Sequence, residues 1–201
     1  MKNTRRLRVL CGELRPCGLF ADVGCDHGYC TQYMLERGLC RAAVISDISA
    51  GSLRKAETLL AEHIASGRVR SVCCAGLSGV PREAEEVLIA GMGGEEIVSI
   101  LEEGFLPPVL VLQPMKHAPK LRRFLLERGY AIERDFTFTD GKHYDLLRAV
   151  LHHRRRRSKE IKESRDILCI FNDSAKTSGS DGTCHNDNDQ RHDHHDGLHK
   201  V

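Results

Sequence analysis

The chain has 201 residues, of which 41% are hydrophobic and 29% charged, with a formal net charge of +2. That length holds one domain with a real core plus a smaller appendage, and so small a net charge is no argument for nucleic acid by itself. No apolar run nears the roughly 20 residues needed to span a bilayer, and the charged N-terminus lacks the hydrophobic stretch of a secretory signal, so a cytoplasmic protein with no membrane partner is expected.

Residues 3–15 place Leu7, Leu10 and Leu14 at helical spacing and read as a short amphipathic helix. LFADVG is a brief apolar run ending in Asp and Gly, a buried strand that stops at a turn. GYCTQYMLERG is the next helix, with Gly38 placed to end it. AAVISDIS (42–49) is a second strand ending in an acid. Residues 52–67 form a strong helix with Leu53, Ala56, Leu60 and Ile64 on one face. RVRSVCCAGL (68–77) and EVLIAGMGG (86–94) are the third and fourth strands, and 95–104 is the helix behind the fourth. VLVLQPM (109–115) is a fifth strand, and 118–129 is another helix closed by a glycine. Residues 130–151 read as strand, turn at Asp140-Gly141, strand, with no helix between.

The strands are continuous apolar runs rather than alternating ones. That predicts an α/β fold of five βα units on a mostly parallel sheet covered on both faces, followed by an antiparallel hairpin. After Leu151 the basic stretch 152–171 can continue as a charged helix. From 172 to 201 almost no apolar residues remain, so a disordered polar tail is expected. Its HDHH cluster is read as solvated low complexity, and no metal site is expected. The nine cysteines are odd in number, follow no repeating spacing and include no C-x-x-C pair. They read as reduced thiols.

In an open parallel sheet the ligand site lies at the carboxyl ends of the strands. The first such end is Asp22-Val-Gly24-Cys-Asp26-His27-Gly28-Tyr29. Its glycine spacing is not the G-x-G-x-x-G that receives a pyrophosphate. Two carboxylates would repel a pyrophosphate and attract a cationic ligand such as S-adenosylmethionine (SAM), with its amino group and sulfonium. A purely local role is the alternative, with Asp26 as a helix N-cap and Asp22 ending the strand. At the second end Asp47, followed by Ile48, stands where an acid accepts both hydroxyls of a ribose. At the third, Gly76-Leu77 permits a turn beside an adenine. At the fourth, Ala90-Gly91-Met92-Gly93-Gly94 exposes backbone and lets a ligand come close. Gln113-Pro114 can add an amide to the same cleft, or Pro114 simply stops the strand.

ADVGCDHGY, IAGMGG, LVLQP and DGKHYDLLRA, in that order, resemble the bacterial tRNA (adenine-22-N1)-methyltransferases over roughly residues 4–151. The resemblance implies a SAM-dependent enzyme with a Rossmann-like class I domain over 1–151 and a helical C-terminal domain, of which 152–171 would be a remnant. It implies that Asp22, Gly24, Asp26 and His27 form the first SAM loop and that Asp47 takes the ribose position. It places Gly91 to Gly94 between cofactor and target base. The chain departs from the family at Ala75, where an Asp commonly meets the adenine, and after Leu151.

N1 of adenine is a neutral nucleophile, so methylation needs positioning and charge stabilisation rather than a base. Asp26 is the leading candidate to offset the cation that develops on adenine, with His27 and Tyr29 stacking on or hydrogen-bonding the base. Lys116, Lys120, Arg122, Arg123 and Lys142 are candidate phosphate contacts on tRNA. A SAM- or RNA-binding module without catalysis is the alternative, and a NAD-dependent oxidoreductase is disfavoured by the acid-rich loop. Oligomeric state has no signal in the sequence.

Overall fold

The computed structural model describes residues 4–152, and these form one seven-stranded sheet with helices on both faces. In chain order the elements are α1 (Arg5–Glu13), β1 (Cys17–Val23), α2 (Tyr29–Glu36), β2 (Cys40–Asp47), α3 (Ala50–Leu59), α4 (Ala61–Ala65) and β3 (Val69–Cys73). They continue with β4 (Glu86–Met92), α5 (Gly94–Glu103), β5 (Val109–Pro114), α6 (Ala118–Glu127), β6 (Tyr130–Asp140) and β7 (Lys142–Leu151). The strand order is β3-β2-β1-β4-β5-β7-β6. The first five strands run parallel, and β7 pairs antiparallel with both β5 and β6.

Side-chain alternation explains why the strands look uniformly apolar. In β1, Leu19, Ala21 and Val23 join one buried cluster, with Ile97 and Leu101 of α5 and Leu121 and Leu125 of α6. Phe20 joins the other, with Leu10 of α1, Met34 of α2 and Leu53 of α3. Both sheet faces are covered, so both parities must be apolar.

Two details differ from the sequence reading. The helix expected over 52–67 breaks at Leu60, whose backbone (φ −104°, ψ 15°) separates α3 from α4. Leu60 is fully buried, and neither Gly nor Pro marks the break. Between β3 and β4, residues 74–85 form turns and no helix, so four strands rather than five are followed by a helix. The expectations for 152–171 and 172–201 concern, His152 apart, residues outside the described ones.

The reversal of strand order falls between β1 and β4. Two irregularities there shape the cleft. Gly24 follows β1 with φ 70°, and its N–H donates to the Ser46 carbonyl at 2.8 Å. Gly91 is a bulge in β4: Ala90 pairs with Gln113 and Met92 with Pro114, which leaves Gly91 as the extra residue at φ 84°. At the opposite end of β4, Glu86 is buried and meets Arg148 of β7 at 2.9 Å, an ion pair far from the cleft.

Candidate functional site

A cleft of about 800 Å³ opens at the carboxyl ends of β1, β2, β3 and β4. Its wall includes Asp22, Gly24, Asp26, His27, Tyr29, Asp47, Ile48, Gly76, Leu77, Ala90, Gly91 and Met92, so four loops far apart in sequence meet at one site. Gly93 is not in the wall. It caps the N-terminus of α5 instead, with its N–H donating to Glu96 at 3.3 Å. Gln113 is fully buried outside the wall, so the amide expected in the cleft is spent elsewhere.

Each acid of the first loop has a distinct environment. Asp22 is buried at the end of β1 and accepts a hydrogen bond from the Thr31 hydroxyl at 2.9 Å. Burial pushes its carboxyl up to about 7; the Thr31 hydrogen bonds oppose this and the Asp47 charge adds to it. Asp47 holds the loop together, accepting from the Asp26 N–H at 3.3 Å and from the Ser49 N–H at 2.8 Å. Asp26 does not cap α2: the N-cap is Gly28, with no side-chain hydrogen bond. Its backbone is instead left-handed at φ 46°, a cost on the order of 1 kcal/mol for a non-glycine residue. That conformation turns its exposed carboxylate to His27 Nδ1 at 2.7 Å and Lys55 Nζ at 3.4 Å. Partial burial pushes the Asp26 carboxyl up, but the His27 and Lys55 contacts together outweigh it and hold it below the usual range. It is therefore anionic at neutral pH.

The His27 and Tyr29 rings stack at 5.4 Å and 6° between planes, a flat aromatic pair on the cleft wall. The Cys25 and Cys30 thiols also line it. Burial and the nearby acids push Cys25 up, and a hydrogen bond with Cys11 together with burial pushes Cys30 up, so neither offers a thiolate nucleophile. Among the described residues no cluster of His, Cys, Asp and Glu can hold a metal ion.

The wall includes residues that the sequence reading did not assign to the site. Arg6, Leu7 and Leu10 come from α1, and Ser99, Ile100 and Glu103 from α5. The signal for the α5 residues was weak but present, since α5 starts directly behind the glycine loop. Ala75 lines the third strand end, where Ser78 donates only to the Ala75 carbonyl, at 2.8 Å.

The candidate phosphate contacts lie outside the wall and are unequal. Lys120 pairs with Glu95 at 3.0 Å. Arg122 pairs with Asp135 at 2.7 Å and Asp145 at 3.3 Å. Lys116 and Arg123 are exposed on the α6 side. Lys142 is exposed at the hairpin tip and lies 5.4 Å from the Tyr144 ring centroid.

Residues 3–147 match the family described as a methyltransferase domain. The tRNA (adenine(22)-N(1))-methyltransferase of Bacillus subtilis is 30% identical over 153 residues, 73% of this chain and 64% of that protein. The crystal structure of the B. subtilis m1A22 tRNA methyltransferase aligns with a TM-score of 0.67 at 28% identity, over 75% of this chain and 67% of that one. A structure of the M. capricolum protein TrmK with S-adenosyl-homocysteine aligns with a TM-score of 0.68 over 87% of this chain and 84% of that one; at 18% identity it shows a shared fold. The chain spans between half and two thirds of the length of the curated relatives it matches. The match over 3–147 covers most of the chain, which belongs to the methyltransferase-domain family.

Proposed function

We propose, with membership of the methyltransferase-domain family as the premise, that this chain transfers a methyl group from SAM to N1 of an adenine in tRNA, at the position its B. subtilis relative is named for. One observation carries the reading most: Asp22, Asp26 and Asp47 converge on one cleft at the point where strand order reverses. A pyrophosphate would be repelled there and a cation attracted.

The residues present fit SAM. Asp47 at the end of β2 offers carboxylate oxygens to ribose hydroxyls. Ile48, Leu77 and Ile100 give an apolar lining for an adenine. Asp22, buried and short of hydrogen-bond donors, favours a ligand cation. The bound cofactor supplies an electrophilic methyl group on its sulfonium. The cleft volume suits a nucleoside-sized ligand and an incoming base together.

The protein's share of the chemistry is positioning and electrostatics. The acceptor nitrogen carries a lone pair and needs no deprotonation. Methylation leaves positive charge on the adenine ring, and the anionic Asp26 carboxylate offsets it. The stacked His27–Tyr29 pair offers a flat surface to an extruded base. Gly91 and Met92 line the cleft, and in this reading they stand between cofactor and base. With tRNA as its substrate, this reading assigns the protein to the cytoplasm.

Incubating the full chain with SAM and unmodified tRNA, followed by mass spectrometry of the nucleosides, tests this. N1-methyladenosine is the expected product, and its absence at high enzyme concentration overturns the reading. Ala75 favours a second reading, a SAM-binding module without turnover, because no carboxylate stands at that position to meet the adenine. Calorimetry showing SAM binding with no methylation of any tRNA would select it.

A further inference from the structure

In the sequence Arg6 is one of four early arginines, with Arg5, Arg8 and Arg15, which read either as a basic patch able to contact phosphate or as a solvated surface. In the structure it joins four distant segments. Its backbone N–H donates to Asp140 Oδ2 at 2.8 Å, which fixes the start of α1 to the hairpin tip. Its Nε donates to Gln113 Oε1 at 2.8 Å. Its guanidinium lies 5.4 Å from the centroid of the Tyr144 ring. Its Nη2 sits against Gly91, where an added Cβ would stand only 2.9 Å away.

Gln113 is fully buried, and its own Nε2 donates to the Pro114 carbonyl at 3.1 Å. Its Oε1 is therefore aimed in a set direction, and it sets the rotation of the guanidinium in turn. Only the Nε hydrogen is spent this way among the described residues. Arg6 lines the cleft wall, with its Nη2 beside Gly91. Lys142 approaches the same Tyr144 ring at 5.4 Å, so two cations gather at one aromatic ring beside the cleft.

We propose that Arg6, aimed by Gln113 and joined by Lys142 at the Tyr144 ring, holds a backbone phosphate of the nucleotide whose base enters the cleft. This rests on the tRNA methylation reading and assigns its acceptor-side contact. The alternative target for Arg6 is the base itself, and the chemistry argues against it. A ring gaining positive charge is opposed by a neighbouring guanidinium, whereas a phosphate is permanently anionic and matches its fork of donors. The side chain of Asp140 already faces the Arg6 backbone and not the guanidinium, so the positive charge of the fork stays available for that anion. Gln113 is a positioning residue in this scheme, acting through Arg6.

The test compares Arg6→Ala, Arg6→Lys and the wild-type full chain on unmodified tRNA. Three readouts are taken: KM and kcat for tRNA, SAM affinity by calorimetry, and tRNA affinity by fluorescence anisotropy across a salt series. Arg6→Ala is expected to raise KM for tRNA about tenfold and to lower the salt slope by about one, as loss of one phosphate contact does. SAM affinity should stay within about twofold, and Arg6→Lys should restore most of KM, since a point charge also holds a phosphate. An unchanged salt slope, or a fall in kcat with KM intact, overturns the proposal. If Arg6→Ala does not fold, Arg6→Gln replaces it with the same readouts. A wild-type chain that forms no N1-methyladenosine brings down the methylation reading, while the anisotropy salt slope still decides for or against Arg6.

Discussion

Two edges of the molecule carry charge in different ways. On the α6 side two of the candidate cations are already spent: Lys120 on Glu95, Arg122 on Asp135 and Asp145. In the cleft Asp26 is paired with His27 and Lys55, but the other two aspartates are not paired with a cation. Asp22 has a hydroxyl for its partner and Asp47 has backbone N–H groups, and neither meets a cation among the described residues. Ion pairs already closed on a surface contribute little to binding, because a ligand must first displace a partner. Charges left without a counterion mark where a ligand of opposite sign completes the structure. By that measure Asp22 and Asp47 suit a cationic ligand, and Arg6 and Lys142 at Tyr144 keep charge that Lys120 and Arg122 have already spent.

The comparison can be broken most severely at the loop that presents the acids. Gly24→Val would force a branched side chain into a left-handed backbone and into the Met92 methyl group. SAM binding should become undetectable by calorimetry while far-ultraviolet circular dichroism shows the sheet intact. Asp47→Ala should weaken SAM binding on the order of 10- to 100-fold, the span expected for a lost charged hydrogen bond. Affinity unchanged within twofold would remove Asp47 from the cofactor site. Asp26→Asn should lower kcat by about 100-fold with SAM affinity changed far less, if its charge acts on the transition state. Equal losses in both would make it a cofactor contact.

A pH series sharpens the same contrast. The Asp22 carboxyl is raised from 3.8 to about 7 in the folded chain. A raised carboxyl binds its proton more tightly when folded, so its contribution to stability is present in full below pH 4 and is lost as pH rises towards 7. SAM, being cationic, favours the ionised form. Its affinity should therefore increase from pH 6 to pH 8, and Asp22→Asn should flatten that rise. A wild-type profile that is flat or falls with pH would contradict it. The smallest effect is expected at the other edge. Lys120→Ala should alter tRNA affinity by less than about threefold, since its charge is already paired. A larger loss would show that the Glu95 pair opens to receive phosphate.

Much of this architecture was legible because both faces of the sheet are covered. Unbroken apolar runs in β1, β2, β4 and β5 announce a sandwiched parallel sheet, and the Asp140-Gly141 turn announces the hairpin. The stretch 74–85 was harder: its connection from β3 to β4 was assumed to match the others, and with two glycines and a proline in twelve residues it forms turns. The break at Leu60 had no local signal, because a buried side chain rather than a helix breaker sits there. At the site, the four strand ends could be found because each carries glycine or aspartate after an apolar run. Arg6 belonged to the early basic group, but its place in the cleft could not be read, since its partners stand 107 and 134 residues away and only the folded chain brings them together. Asp26 was half legible. Its presence in the loop was plain, but its left-handed backbone, which decides where the carboxylate points, was not.

The bulge at Gly91 has a consequence for parity. Along β4, Leu88 and Ala90 belong to the side of the sheet under α1 and α2, and regular alternation would send Met92 the same way. The one extra residue reverses the count, and Met92 packs with the cluster under α5 and α6. Its methyl group then reaches Gly24, while Gly91 is left bare before Arg6. A single inserted residue thus reverses the parity of its neighbours, setting the Met92 thioether against Gly24 and leaving the Gly91 backbone to the Arg6 guanidinium.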